Sequence, residues 1–234
     1  MSEARPFGDA CLESYPSELA ARSWTEPREA LASVRVHGAF LRALPSQARL
    51  GGFASEEGCR TVTTRQEAID ILERGHATIR RLTKEIPPHW MARPGLGGGE
   101  WSPKDLLGHL CFWEEKVLEA LAAWDAGERA SIDREIYARS IDAINAEGVR
   151  TRSRHTLARV LRDWDNVHGE LIRTLRTMTD ARWENPTTPR GRKSLGHRMG
   201  QLLVGRDPFE HENAHVKDLE AFVGSIPAAE RSED

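Results

Sequence analysis

The chain has 234 residues, 39% of them hydrophobic and 29% charged, with a formal net charge of -3, which is room for one domain with a sizeable core plus an appendage. So balanced a charge argues against a protein whose main task is to neutralise a phosphate backbone, and no nucleic-acid partner is expected. No apolar run of about 18 residues occurs, and the N-terminal segment lacks the apolar stretch of a secretory signal, so neither membrane insertion nor export is expected.

Cys11, Cys59 and Cys111 are odd in number and far apart, with no CxxC pair, and read as reduced cytoplasmic thiols. Residues 1–61 mix Pro, Gly, Ser and Arg around a single helix-like run, Glu29 to Leu44, that has no partner stripe; a poorly ordered N-terminal extension is expected there. No methionine falls between Met1 and Met91, while Val62 directly precedes a capped helix start, Thr63-Thr64-Arg65-Gln66-Glu67. Because valine codons can serve as starts, a native start at Val62 is one reading of this segment.

From Thr64 onward the chain is a series of helical stripes. Ile69, Leu72, His76, Ile79, Thr83 and Ile86 recur at steps of three and four and end at Pro87-Pro88, and the glycine-rich loop 94–99 resets the chain direction. Ser102-Pro103-Lys104-Asp105 predicts a second helix start, with Ser as N-cap, Pro at the first helical position and an acid in the first turn. Its stripe is Leu106, His109, Leu110, Trp113, Val117, Leu121 and Trp124, stopped by Gly127.

Residues 130–153 are more polar and read as a long crossover with one helical fragment around Ile136 to Ala146. Leu157, Leu161, Trp164, His168, Leu171, Leu175 and Met178 form the inward seam of a third long helix. A last helical region is expected from Leu195 to Phe222, interrupted at Gly205-Arg206-Asp207-Pro208 and restarted with Asp207 as N-cap and Pro208 as first helical residue. A local basic cluster, Arg190, Arg192, Lys193 and Arg198, reads as a solvated helix entry. Residues 62–226 thus predict an all-α four-helix bundle with a long crossover between helices two and three, and 227–234 a disordered C-terminal tail. The other loops are taken as short, which makes helices one and two, and likewise three and four, antiparallel neighbours.

Five of the nine histidines lie on the apolar stripes: His76, His109, His168, His211 and His215. His211 and His215 are one helical turn apart on one face, so both imidazoles can reach one ion. With about 1.5 Å of rise per residue, His109 falls at their level in the expected topology, and His76 and His168 about one turn deeper, where core or supporting roles suit them. One divalent ion on His109, His211 and His215 is therefore expected, and zinc, nickel, iron and copper all suit imidazole.

The stretch Gly99-Glu100-Trp101-Ser102-Pro103-Lys104-Asp105-Leu106-Leu107-Gly108-His109-Leu110, with Trp113-Glu114 after it, resembles the helix-two signature of DinB-like four-helix bundles. Tyr137-Ala138-Arg139, Asp142, Asn145-Ala146 and the helix from Leu157 to Leu175 are similar to the middle segment of the ClbS/DfsB type. The resemblance spans about residues 63–223 and implies that a metal would take one histidine from helix two and an H-x-x-x-H pair from the last helix, here His109, His211 and His215. Pro208, just before the pair, departs from the pattern and is expected to tilt that helix.

His211-Glu212-Asn213-Ala214-His215 also satisfies HExxH, the zinc-protease pattern. The context opposes a protease: Asp218 and Ala221 stand where metzincins carry glycine and histidine, and no strand is available to bind a peptide. Glu212, rotated about 100° from His211 around the helix, is a weak candidate for a catalytic base and is expected to be a solvated carboxylate, as are Glu114 and Glu115. Trp113, one turn beyond His109, is either a pocket wall for a small-molecule substrate or a plain core residue. The resemblance implies a metal-dependent enzyme that detoxifies a small electrophile by thiol transfer, using a low-molecular-weight thiol, or by hydrolysis. The alternative is a non-catalytic bundle protein of the stress-response kind that sequesters a ligand, and a homodimer is among the assemblies this allows.

Overall fold

The computed structural model describes residues 63–187 and 192–231. The readings placed on residues 1–61, on a start at Val62 and on Arg190 lie outside the described residues. Among these residues there are eight α-helices: α1 (Arg65–Lys84), α2 (Pro103–Asp125), α3 (Ser131–Ala138), α4 (Ile141–Arg152), α5 (Leu157–Thr177), α6 (Asp180–Glu184), α7 (Leu195–Leu202) and α8 (His211–Ser225). No strand is present among them, only an isolated bridge between Pro186 and Ser194. The fold is all-helical, and none of these helices is long and apolar enough to cross a membrane.

Three of the four long helices, α1, α2 and α5, begin where side chains satisfy free backbone N–H groups. Thr64 and Glu67 form a capping box on α1, and Ser102 and Asp105 form another on α2, with Pro103 just inside. The α2 helix ends where Gly127 takes φ 74°, a left-handed conformation open to glycine. The crossover differs from expectation: Arg139 is extended and Ser140 caps a new helix, so α3 and α4 replace one fragment over 136–146. Gly148 of α4 lets the helix lie against Phe112, since a Cβ there would meet the ring at 2.8 Å.

The start of α8 is a second difference. Phe209 has φ 67°, which no continuing helix tolerates, so Asp207 and Pro208 belong to a turn and α8 begins at His211. The Phe209 ring is buried, stacked on Trp183 at 5.6 Å between centroids, in space that the missing side chain of Gly200 leaves open. The C-terminal residues 227–231 also differ from a disordered tail. They form a short 3-10 turn in which Trp90 donates to Glu230 at 2.7 Å and Arg231 donates to the carbonyl of Ile226 at 2.6 Å.

The bundle consists of α1, α2, α5 and α8. The α1 helix packs on α8 and α5, and α2 packs on α5, α8 and the crossover helix α4. The expected neighbours, one with two and three with four, thus lie diagonally. The connections from α1 to α2 and from α5 to α8 are long enough to cross the end of the bundle, because the first carries a 3-10 turn and the second carries α6 and α7.

The core is divided in two. One apolar cluster includes Leu72, Trp113, Val117, Trp124 and Leu171; the other includes Ile79, Leu106, Leu110, Trp164 and Leu219. Between them, along each long helix, fall polar side chains: His76 on α1, His109 and Glu114 on α2, His168 on α5, and His211, Glu212 and His215 at the head of α8. Burying a polar layer costs free energy unless its members find partners, so what those side chains bond to decides what the layer is for.

Candidate metal centre

The α2 and α8 helices bring His109, His211 and His215 together, with one nitrogen of each within 4.8 Å of the others. The ring centroids form a near-regular triangle, 4.8 Å from His109 to His211 and 5.3 Å on each of the other sides. His109 is 2% exposed, which places it at the floor, and His215 is half-buried. The Nε2 atoms of His109 and His211 lie 2.9 Å apart. Two nitrogens sharing one tetrahedral ion at bond lengths of about 2.0 Å stand roughly 3.3 Å apart, so a few tenths of an ångström of opening would admit an ion. His109 Nδ1 is buried without a partner.

Burial keeps these rings neutral. It holds His109 well below the ordinary histidine range, helped by the neighbouring His211 and His215, and takes His211 down to about 3 and His215 to about 4. Three neutral imidazoles, each with one ring nitrogen within 4.8 Å of the others, are the donor chemistry a divalent ion requires, so the residues present fit one. Cys111 is no rival nucleophile, because burial pushes its thiol up to about 12.

Trp113 is buried, its indole N–H donating to Asn145 of α4 at 3.0 Å and its ring centroid 6.3 Å from that of His211. Trp101, which sequence reasoning left without a role, lies nearer, 4.9 Å from the His109 ring. Its place just before the Ser102 cap, two helical turns from His109, was the only signal of that contact.

Glu212 and Glu114 correct the expectation of solvated carboxylates: they are 4% and 2% exposed. The α8 helix turns Glu212 away from the His triad into a second group, with His76 of α1 and His168 of α5, whose donor atoms also lie within 4.8 Å of one another. Burial raises both carboxyls well above their ordinary range, and for Glu212 the nearby Glu114 adds to it. Burial also lowers His76, and lowers His168 to about 4. Helical spacing placed Glu212 off the His211 face but could not say what that other face met. Glu115, by contrast, is partly exposed and paired with Arg152.

Residues 63–205 match the family model of the DinB superfamily, and with more than half of its length covered the chain belongs to that superfamily. The fold has counterparts among solved structures. A protein from Escherichia coli UTI89 aligns with TM-score 0.57 at 13% identity, over 69% of this chain and 94% of that one. The colibactin self-resistance protein ClbS, in complex with a dsDNA, aligns with TM-score 0.58 at 13% identity, over 71% and 99%. A protein from Streptococcus pneumoniae aligns with TM-score 0.59 at 10% identity, over 71% and 94%. At these identities the likeness is one of fold. No curated protein matches the chain.

The ClbS complex overturns the exclusion of nucleic acid drawn from net charge, because a protein of this fold is seen with dsDNA bound. Net charge sums over all faces and is blind to one basic face. The basic cluster is likewise not a uniform solvated entry: Arg198 bonds Asp133 and Thr187 and lies over the Trp124 ring.

Proposed function

We propose that this DinB-superfamily protein is a divalent-metal-dependent enzyme acting on a small electrophile, by transfer of a low-molecular-weight thiol or by hydrolysis. The observation that carries the reading is the convergence of three neutral imidazoles from α2 and α8 with no carboxylate among them. Such a donor set leaves an ion its double charge and a free position, so that when bound it supplies the Lewis acidity that activates water or a thiol near neutral pH.

The protein's own part is positioning. Leu106 and Leu110, fully buried on either side of His109, fix its place on α2. The Phe209 turn sets the first residue of α8, and with it where His211 and His215 face. Trp101 covers His109, and Trp113, held by Asn145, closes the side next to His211. Both indoles restrict water around the reacting groups. Glu212 faces the other buried group and is not the base for this site, which is a further reason to set aside the protease pattern.

An open groove of about 600 Å³ between α1 and α5 is the observation behind a second reading, a protein that sequesters its ligand unchanged. Turnover of thiol-reactive electrophiles, with and without a cellular thiol, separates the two. The enzyme reading requires consumption that stops on chelation and returns with added metal, and that is lost in His109→Ala and His215→Ala. Tight binding of a ligand that is recovered intact, equally with and without metal, would sink it.

A further inference from the structure

We infer that His76, His168 and Glu212 form a second divalent-cation site in the bundle centre, distinct from the His109, His211 and His215 triad. One donor atom from each lies within 4.8 Å of the others. The three come from α1, α5 and α8, and Glu114 of α2 stands beside them, so each long helix contributes one polar side chain to this group.

Both imidazoles are backed by carboxylates in the way metal-binding histidines commonly are. His76 Nε2 lies 3.2 Å from Asp165, which Arg80 holds at 3.1 Å, while its Nδ1 faces Glu212 Oε1 at 3.6 Å. His168 Nδ1 lies 2.8 Å from Glu114 Oε1, which leaves Nε2 as the nitrogen for an ion. The two rings are stacked, with centroids 3.9 Å apart and planes 15° from parallel, so sharing an ion requires one ring to swing out of the stack toward the other's donor.

The carboxylates are the second observation. Oε2 of Glu114 and Nδ1 of His76 are buried without a hydrogen-bond partner, and neither oxygen of Glu212 makes a well-formed hydrogen bond, the nearest donor being the Trp164 indole N–H, which is itself left without one. Buried carboxylate oxygens left unpaired are costly, and a divalent cation is the partner that satisfies several at once. Gly75 makes the niche: a Cβ there would stand 2.7 Å from Glu212 Oε2 and 3.0 Å from its Cβ. Access exists as well, because the groove between α1 and α5 is lined by both His76 and His168. Two imidazoles and one carboxylate suit a borderline divalent ion such as cobalt, iron, manganese or zinc.

Cobalt(II) titration of the full chain, followed by calorimetry and the visible absorption of the ion, tests this. The intact protein is expected to take up about two ions and His168→Gln or Glu212→Gln about one, whereas His109→Ala with His215→Ala retains about one. Adding His168→Gln to that pair should abolish uptake. A folded His109→Ala/His215→Ala protein that takes up no cobalt, or a folded Glu212→Gln protein with undiminished uptake, would overturn the second site. Loss of the triad site alone gives a different pattern: one ion in the intact protein, removed by His168→Gln and untouched by His109→Ala. Circular dichroism on each variant establishes which are folded, and Glu212→Gln, which keeps the side chain's shape, decides the matter if His168→Gln is not.

Discussion

The Nε2 atoms of His109 and His211 lie 2.9 Å apart across the contact between α2 and α8, closer than two cations would tolerate. One imidazolium in this triad raises the cost of the next, on top of the cost of burial. In metal-free protein, His211 and His215 should therefore remain neutral down to pH values near 3 and 4. Imidazole chemical shifts followed by NMR from pH 8 to 4 check this. The sign of the linkage is fixed: a histidine with a depressed folded pKa withdraws stability as pH falls below its unfolded value of about 6.5. Rings that titrate near 6.5 would remove the electrostatic basis of the site.

Glu114 and Glu212 work in the opposite direction. Their folded pKa values are raised, so the stability they allow is full below the ordinary glutamate range and is lost as pH rises through the folded values. Glu212→Gln should accordingly raise the melting temperature of chelator-treated protein at pH 8, with the advantage shrinking toward pH 4.5. Comparing variant and parent at each pH isolates this carboxyl from the opposing histidines. A variant that melts lower at pH 8 would mean that the carboxylate already has a stabilising partner without metal.

Gly148→Ala places a methyl group 2.8 Å from the Phe112 ring, where α4 lies against α2. Overpacking of this kind costs about 1–3 kcal/mol, against roughly 1 kcal/mol gained in helix propensity. A net loss in chemical denaturation is expected, and a gain would show that α4 moves freely on the bundle.

Trp113→Phe removes the indole N–H that Asn145 accepts at 3.0 Å, at a cost of about 1 kcal/mol. Metal content should be unchanged while turnover of the electrophile falls. Lost metal would mean that the indole supports His211 directly.

The stripes and the caps of the first two helices could be read because helical periodicity and capping chemistry are local. Ser102, Pro103 and Asp105 form a cap whatever the rest of the chain does. The convergence of His109 with His211 and His215 could also be foreseen, since only the level along the bundle mattered and the ring order of the helices did not. That order was not legible: nothing local to residues 85–102 or 178–210 distinguishes a connection to a neighbour from one across the diagonal. The solvated reading of Glu114 and Glu212 failed for the same reason, because which helix faces a carboxylate follows from the ring order. The expected restart at Asp207 and Pro208 failed differently, since Phe209 takes a positive φ with its ring stacked on Trp183 and seated over Gly200, contacts with residues outside the local cap pattern.

Each histidine group has an indole beside it, Trp101 at 4.9 Å from His109 and Trp164 at 4.0 Å from His76. Among the chain's seven tryptophans these two can serve as intrinsic optical probes, one for each group. Protonation of an imidazole, or a paramagnetic ion on it, quenches the emission of an indole in van der Waals contact. Variants keeping only Trp101 or only Trp164 would let the two groups be observed separately, in real time and without a label.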